Sequence, residues 1–258
     1  MTFNVHQINP LPVSNLVDNY ISLDLEFAET KSDQSHLPLQ IAAIAVINGQ
    51  PQRNRFNRFA YFKDMLPTDF IRGMELADMT PKTYRKYGDI NDIIKHFLKW
   101  WFDASKKVPH PEVNQYAQLL PVLGYNINSD LTTLVNYLPD DIRPNQNAKN
   151  KLNYFDVEQF VAKSMGADRI SLQSLAHLLN VETGQPHHAD NDSLTCATIY
   201  ELLKARFTTQ ANTKLSLVDR NFRSRIDQIA DQQSAPELTV LPRRKSASRS
   251  RQKVTREQ

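Results

Sequence analysis

Asp24 and Glu26 stand two residues apart in a stretch where Ile21, Leu23, Leu25 and Phe27 alternate with Ser22, Asp24 and Glu26. Period-two alternation is the signature of a strand. Both carboxylates therefore leave one face with their Cβ atoms about 6 to 7 Å apart, a spacing that suits a shared cation. The opposite face is apolar, which predicts a position at a sheet edge or end, where the acids must be hydrated, paired or metal-bound. Gly124-Tyr125-Asn126-Ile127-Asn128-Ser129-Asp130 adds a carboxylate at a strand-to-helix junction. Alone, Asp130 reads as a helix-start acid stabilised by the helix dipole. Pro186-His187-His188-Ala189-Asp190-Asn191-Asp192 then opens a helix with two histidines and two aspartates, which reads as a polar loop or a metal cluster.

The elements that must carry these residues can be drawn from the same patterns. Tyr20 to Phe27 is a strand; Leu39 to Ile47, nearly continuous in apolar residues, is a strand buried on both faces; Asn48-Gly49 marks a hairpin; Phe56 to Phe62 gives a third strand. Ile93, Ile94, Phe97, Leu98 and Trp101 recur at helical spacing within Asn91 to Phe102. Val122 to Tyr125 is a short strand running into a helix capped by Asn128 or Ser129, with Leu131, Leu134, Val135 and Leu138 as its buried stripe. Tyr154 to Val157 is a further strand followed by a helix through Met165, and Ser171 caps the next helix. A loop from Glu182 to Asp190 leads to a last core helix from about Asp192 to Phe207.

Four segments follow: an N-terminal lead at 1–17, a folded domain at 18–207, an appended amphipathic helix at 208–233 and a tail at 234–258. Leu215, Val218, Phe222, Ile226 and Ile229 step by three and four along that helix. The tail lacks the apolar surface to offset its ordering entropy and reads as disordered.

Among the 258 residues, 40% are hydrophobic, enough for one core. The net charge of +3 is unevenly spread: residues 243–258 carry seven basic residues and one acid, leaving 24 basic and 27 acidic residues in the remainder. An acidic body with a basic tail fits a protein that handles polyanions, and equally a solvated extension. Cys196, the single cysteine, excludes an intrachain disulfide and a Cys-rich zinc site and points to a reducing, cytoplasmic location. The longest apolar run, Ile41 to Ile47, is far below the roughly 18 residues a membrane span needs. No Gly-x-Gly-x-x-Gly or Gly-x-x-x-x-Gly-Lys string offers a nucleotide cradle.

Taken in order, the three acidic segments resemble the DEDDh family of 3′-to-5′ exonucleases, relatives of polymerase proofreading subunits and RNase T. Its Asp-x-Glu matches Asp24 and Glu26, followed by a Gln-Ile-x-x-Ile-Ala type strand at Gln40 to Ala45; its Asn-x-x-x-Asp matches Asn126 and Asp130; its His with Asp five residues later matches His187 and Asp192, with Ala189 between. His188 is the fallback to His187. The sequence departs from the family at Phe27, Ala28 and Glu29, and at Tyr125 and Ser129 within the second motif.

The resemblance, spanning about residues 18 to 207, implies an α/β, RNase H-like fold: a central mixed sheet with a three-strand meander, two parallel strands and flanking helices. It implies two Mg²⁺ or Mn²⁺ ions, with Asp24 bridging, Glu26 and Asp192 completing one site and Asp130 the other. It makes His187 the general base, and the partner a single-stranded nucleic acid 3′ end cut to nucleoside 5′-monophosphates. Phe27, Tyr125 and Asn126 are candidate substrate contacts, the aromatic pair through stacking. The basic tail is a candidate nonspecific contact, and the sequence points to no polymerase partner. Two rival readings are a catalytically silent nucleic-acid-binding module of the same fold and a metal-dependent phosphatase for small molecules.

Overall fold

The computed structural model describes residues 8–12, 15–32, 35–72, 80–108, 119–139, 152–165, 170–184 and 187–211. The expected amphipathic helix beyond residue 211 and the basic tail lie outside these residues. Nine strands are present among them: β1 (Ile8–Pro10), β2 (Tyr20–Thr30), β3 (His36–Ile47), β4 (Gln50–Pro51), β5 (Phe56–Tyr61), β6 (Phe70–Arg72), β7 (Gly88–Asp89), β8 (Val122–Gly124) and β9 (Leu152–Asp156). The helices are α1 (Pro81–Tyr84), α2 (Ile90–Ser105), α3 (Asn128–Tyr137), α4 (Val157–Met165), α5 (Leu172–Leu178) and α6 (Ala189–Ala211).

Lateral order in the sheet is β1-β9-β8-β2-β3-β5-β7, with β4 on β3 and β6 on β2. β2, β3 and β5 form the expected antiparallel meander, and β8 and β9 join β2 in parallel. The expected RNase H-like mixed sheet is therefore present. Asn48 and Gly49 take φ of 51° and 71°, the left-handed pair that a tight hairpin turn demands. Part of the lead also joins the sheet, since Ile8 to Pro10 pair in parallel with Leu152 to Tyr154.

Two apolar clusters flank the sheet. On one side Leu23, Leu25 and Ile41 belong with Phe97 and Trp101 of α2 and Leu131 and Leu134 of α3; on the other, Tyr20, Ile44 and Phe155 belong with Leu175, Ile199 and Tyr200 of α5 and α6. Each fully buried large side chain of this kind contributes about 1.5 to 3 kcal/mol. That is how the two layers clamp β2.

Several boundaries differ from the sequence expectation. β2 is not an edge strand: it lies centrally between β3 and β8, and its polar face is covered by α6. Helix α6 begins at Ala189 rather than near Asp192, because the His188 carbonyl already accepts the Asn191 and Asp192 N–H groups. It also runs through the expected boundary at 207. Helix α3 starts after Ile127, with no side-chain cap from Asn128 or Ser129. Ser171 caps α5 as expected, accepting the Ser174 N–H at 3.1 Å.

Candidate active site

The parallel pairing of β2 with β8 covers Ile21 and Ser22 and stops there. Strand β8 ends at Gly124, and the chain turns away into α3. The next N–H of β2 on that side with a side-chain acceptor is Leu25, which donates to Asp130 Oδ1 at 2.9 Å. Asp130 thus stands where β8 would have continued, beside Asp24 and Glu26. Sharpness of the turn depends on Gly124, where an added Cβ would lie 2.4 Å from the Ile127 side chain. It depends also on Asn126, whose φ of 51° is left-handed, a conformation Asn tolerates better than most residues.

A second irregularity follows Glu26. The register of β2 on β3 shifts between Glu26 and Phe27, a β-bulge of the kind that re-aims side chains. Glu26 is 7% exposed, while Asp24 keeps partial access to solvent. From the other half of the chain, α6 lowers Asp192 onto them. One carboxylate oxygen each from Asp24, Glu26 and Asp192 lie within 4.8 Å of one another.

Helix α6 is held in this position by two side chains that sequence reasoning did not count among the site residues. Ser22, fully buried on the face of Asp24 and Glu26, donates to the Ser193 carbonyl at 2.7 Å. Gln40, opposite Glu26 on β3 and 1% exposed, accepts the Ala189 N–H at 3.3 Å and donates to Asn57 Oδ1 at 3.0 Å. Gln40 was legible as a polar residue in an otherwise apolar strand run, and Ser22 as a position on the same strand face as Asp24 and Glu26. Replacing Gln40 by Leu leaves the buried Ala189 N–H without its acceptor, so Gln40→Leu should lower stability by about 1–3 kcal/mol in urea unfolding.

Asp156 is the third residue missed, signalled by an acid at a strand-to-helix boundary. It is 7% exposed and accepts from the N–H groups of Asn126 (3.2 Å), Glu158 (3.0 Å) and Gln159 (3.3 Å). It therefore starts α4 and pins the left-handed Asn126 with one carboxylate.

The electrostatics are those of acids crowded together and withdrawn from water. Burial, then repulsion from Asp130, Glu26 and Asp192, holds the Asp24 carboxyl well above the usual carboxylate range. Burial, with Asp192 adding to it, pushes Glu26 up to about 7. Burial also pushes Asp130 up to about 7, against the Leu25 N–H that favours its charged form. Asp192 is raised by burial and pulled back by the His187 N–H, which donates to Oδ2 at 3.2 Å. A cluster of hard oxygen donors whose charged forms are mutually destabilising fits a divalent cation, which would relieve the repulsion.

His187 has an exposed side chain on a backbone with φ of 61° two residues before α6; His188 is half-buried. Asn126 is exposed. Phe27 is half-buried and stacks on His36 with ring centroids 5.8 Å apart. Tyr125 donates its hydroxyl to the Ile170 carbonyl and packs against the second apolar cluster, and burial raises its pKa.

Residues 21–200 match the model of the exonuclease family RNase T. Among solved structures, cell-death related nuclease 4 is similar with a TM-score of 0.53 and 13% identity over 73% of this chain and 64% of that one. E. coli exonuclease I in complex with a dT13 oligonucleotide gives 0.54 and 16% identity over 76% of this chain and 43% of that one. The nuclease domain of 3′hExo, a DEDDh family member bound to rAMP, gives 0.53 and 13% identity over 73% and 92%. The chain thus spans less than two thirds of the first two structures. No curated protein matches it.

Proposed function

The chain belongs to the RNase T exonuclease family, which its residues 21–200 match, and from that membership we propose that it removes nucleotides from the 3′ end of single-stranded DNA or RNA as nucleoside 5′-monophosphates. The observation that carries the reading is the convergence of Asp24, Glu26 and Asp192 within 4.8 Å, with Asp130 held beside them by Leu25. Two Mg²⁺ or Mn²⁺ ions bound there would neutralise the phosphate charge and activate the attacking water. Asp24, Glu26 and Asp192, with Asp130 beside them, would hold these ions.

The remaining steps fall to this chain's own groups. His187 takes the proton of the attacking water on its imidazole, the side chain most often used as a general base. Its exposed place at the head of α6, tied through its N–H to Asp192, supports that role. Asn126, exposed and pinned by Asp156, and Phe27, beside Glu26 past the bulge, would meet the terminal nucleotide. Tyr125, whose hydroxyl anchors the turn on the Ile170 carbonyl, would contribute its ring as a stacking surface.

The test is degradation of 5′-labelled single-stranded DNA and RNA side by side, with Mg²⁺ and with EDTA. A ladder shortening from the 3′ end and abolished by EDTA is expected. Binding without shortening would leave the silent-module reading, and release of phosphate from small esters alone would leave the phosphatase. No helix among the described residues is long and apolar enough to cross a membrane.

The basic tail yields a separate expectation. Deleting residues 234–258 should weaken single-strand binding and flatten its salt dependence, each cation that engages phosphate contributing about 0.7 to the log–log slope. Turnover at saturating substrate and low salt should stay nearly unchanged. Equal salt slopes for the two proteins, read by fluorescence anisotropy, would reduce the tail to a solvated terminus.

A further inference from the structure

Residues 50–63 contain Arg53, Arg55, Arg58 and Lys63, and residues 80–88 contain Lys82, Arg85 and Lys86; neither segment contains a carboxylate. Elsewhere the body of the chain is net acidic, so this is a local excess of seven cations. The two segments meet in space. Strand β5 pairs with β7 through Ala60 and Gly88, and the rings of Phe59 and Tyr87 lie 5.0 Å apart at an interplanar angle of 31°. Arg53, Arg55, Arg58, Arg85 and Lys86 are exposed, and among the described residues none of them forms an ion pair. The loop that carries Arg53 and Arg55 is nonetheless fixed: Trp100 donates its indole N–H to the Asn54 carbonyl at 3.0 Å, and Phe56 packs on Phe97 at 5.2 Å.

This edge is in register with the acidic cluster. Glu26 lies opposite Gln40, and Gln40 opposite Phe59, so Phe59 is two strand spacings, about 10 Å, from Glu26 along the sheet. Asn57, one alternation before Phe59, shares the hydrogen bond of Gln40. We infer that the β5 edge with residues 80–88 is a single-strand track. It holds the same nucleic acid upstream, on the 5′ side of the linkage to be cut, with phosphates on the arginines and lysines and a base against the half-buried Phe59–Tyr87 pair. A polyanion with planar bases matches exposed cations that form no ion pair among the described residues, interleaved with aromatic rings; backbone charge supplies affinity and stacking tolerates sequence. The inference rests on the nuclease reading of the acidic cluster and adds where the rest of the strand lies.

The experiment compares the full chain with the double variant Arg53→Glu/Arg55→Glu and with Tyr87→Ala, using a dinucleotide and a twelve-nucleotide single strand. Wild type should hydrolyse the long substrate with the lower KM. In the double variant, KM for the long strand should rise roughly 10- to 10²-fold and its salt dependence should become shallower, with kcat and dinucleotide hydrolysis unchanged. Tyr87→Ala should raise the long-strand KM without altering the salt slope. An unchanged long-strand KM and salt slope in the double variant would overturn the track. Should wild type hydrolyse neither substrate, the nuclease reading has failed. Anisotropy binding of the twelve-nucleotide strand then decides the track by itself: weaker binding of the double variant supports it, and equal binding removes it.

Discussion

Asp24→Ala should lower nucleotide release by roughly 10³-fold or more, the scale expected when a group holding compensating charge at the reacting phosphate is removed. The domain should remain folded. Asp24 sits among Glu26, Asp130 and Asp192, and without a cation their charges repel. The pH dependence follows from the direction of the shifts. Raised folded-state pKa values mean that the folded protein binds more protons than the unfolded chain between the ordinary carboxylate range and about 7, where Glu26 and Asp130 titrate. Stability of the metal-free protein should therefore be greatest below that window and fall as pH rises through it. Asp24→Ala removes one of the repelling groups, so its decline should be shallower and its stability at neutral pH no lower than wild type. Mg²⁺ should raise the unfolding temperature of wild type at pH 7 and do much less for the variant. Thermal unfolding at several pH values, with Mg²⁺ and with EDTA, reads all of this. Near wild-type turnover by Asp24→Ala on every oligonucleotide would show that the site is elsewhere.

His187→Ala should lower kcat by roughly 10² to 10⁴, the range for losing a positioned proton acceptor. His188→Ala should lower it much less. Only His187 combines an exposed side chain with a backbone N–H bonded to Asp192, whereas His188 gives its carbonyl to the first turn of α6. Cation binding should survive in both variants, since carboxylates form the cage. A large loss in His188→Ala with His187→Ala nearly unaffected would reverse the two histidines, and equal small losses would remove histidine from the mechanism.

Much of the fold was legible because its signals are local. Alternation in Tyr20 to Phe27, the Asn48-Gly49 turn, the helical stripe of α2 and the Ser171 cap each depend on neighbours a few residues away, and all are present. Helix starts were less legible. A carbonyl from His188 opens α6 three residues early, and α3 begins with no side-chain cap, so the residue types at those positions gave no sign of either.

For the site, the sequence by itself determined which acids are present, their order, and that Asp24 and Glu26 share a strand face, since period-two geometry requires it. Tertiary structure alone decided that β2 is central, because long-range pairing with β8 and the covering of α6 leave no trace in the local pattern. It also decided how Asp130 and Asp192, which lie about a hundred and more residues away along the chain, reach them: one through the Leu25 N–H, the other through the grip of Ser22 and Gln40 on α6. The physical reason is that closing such long loops is repaid only by the packed core and the buried hydrogen bonds that form when the layers meet. Those contacts belong to pairs of distant residues rather than to any stretch of sequence.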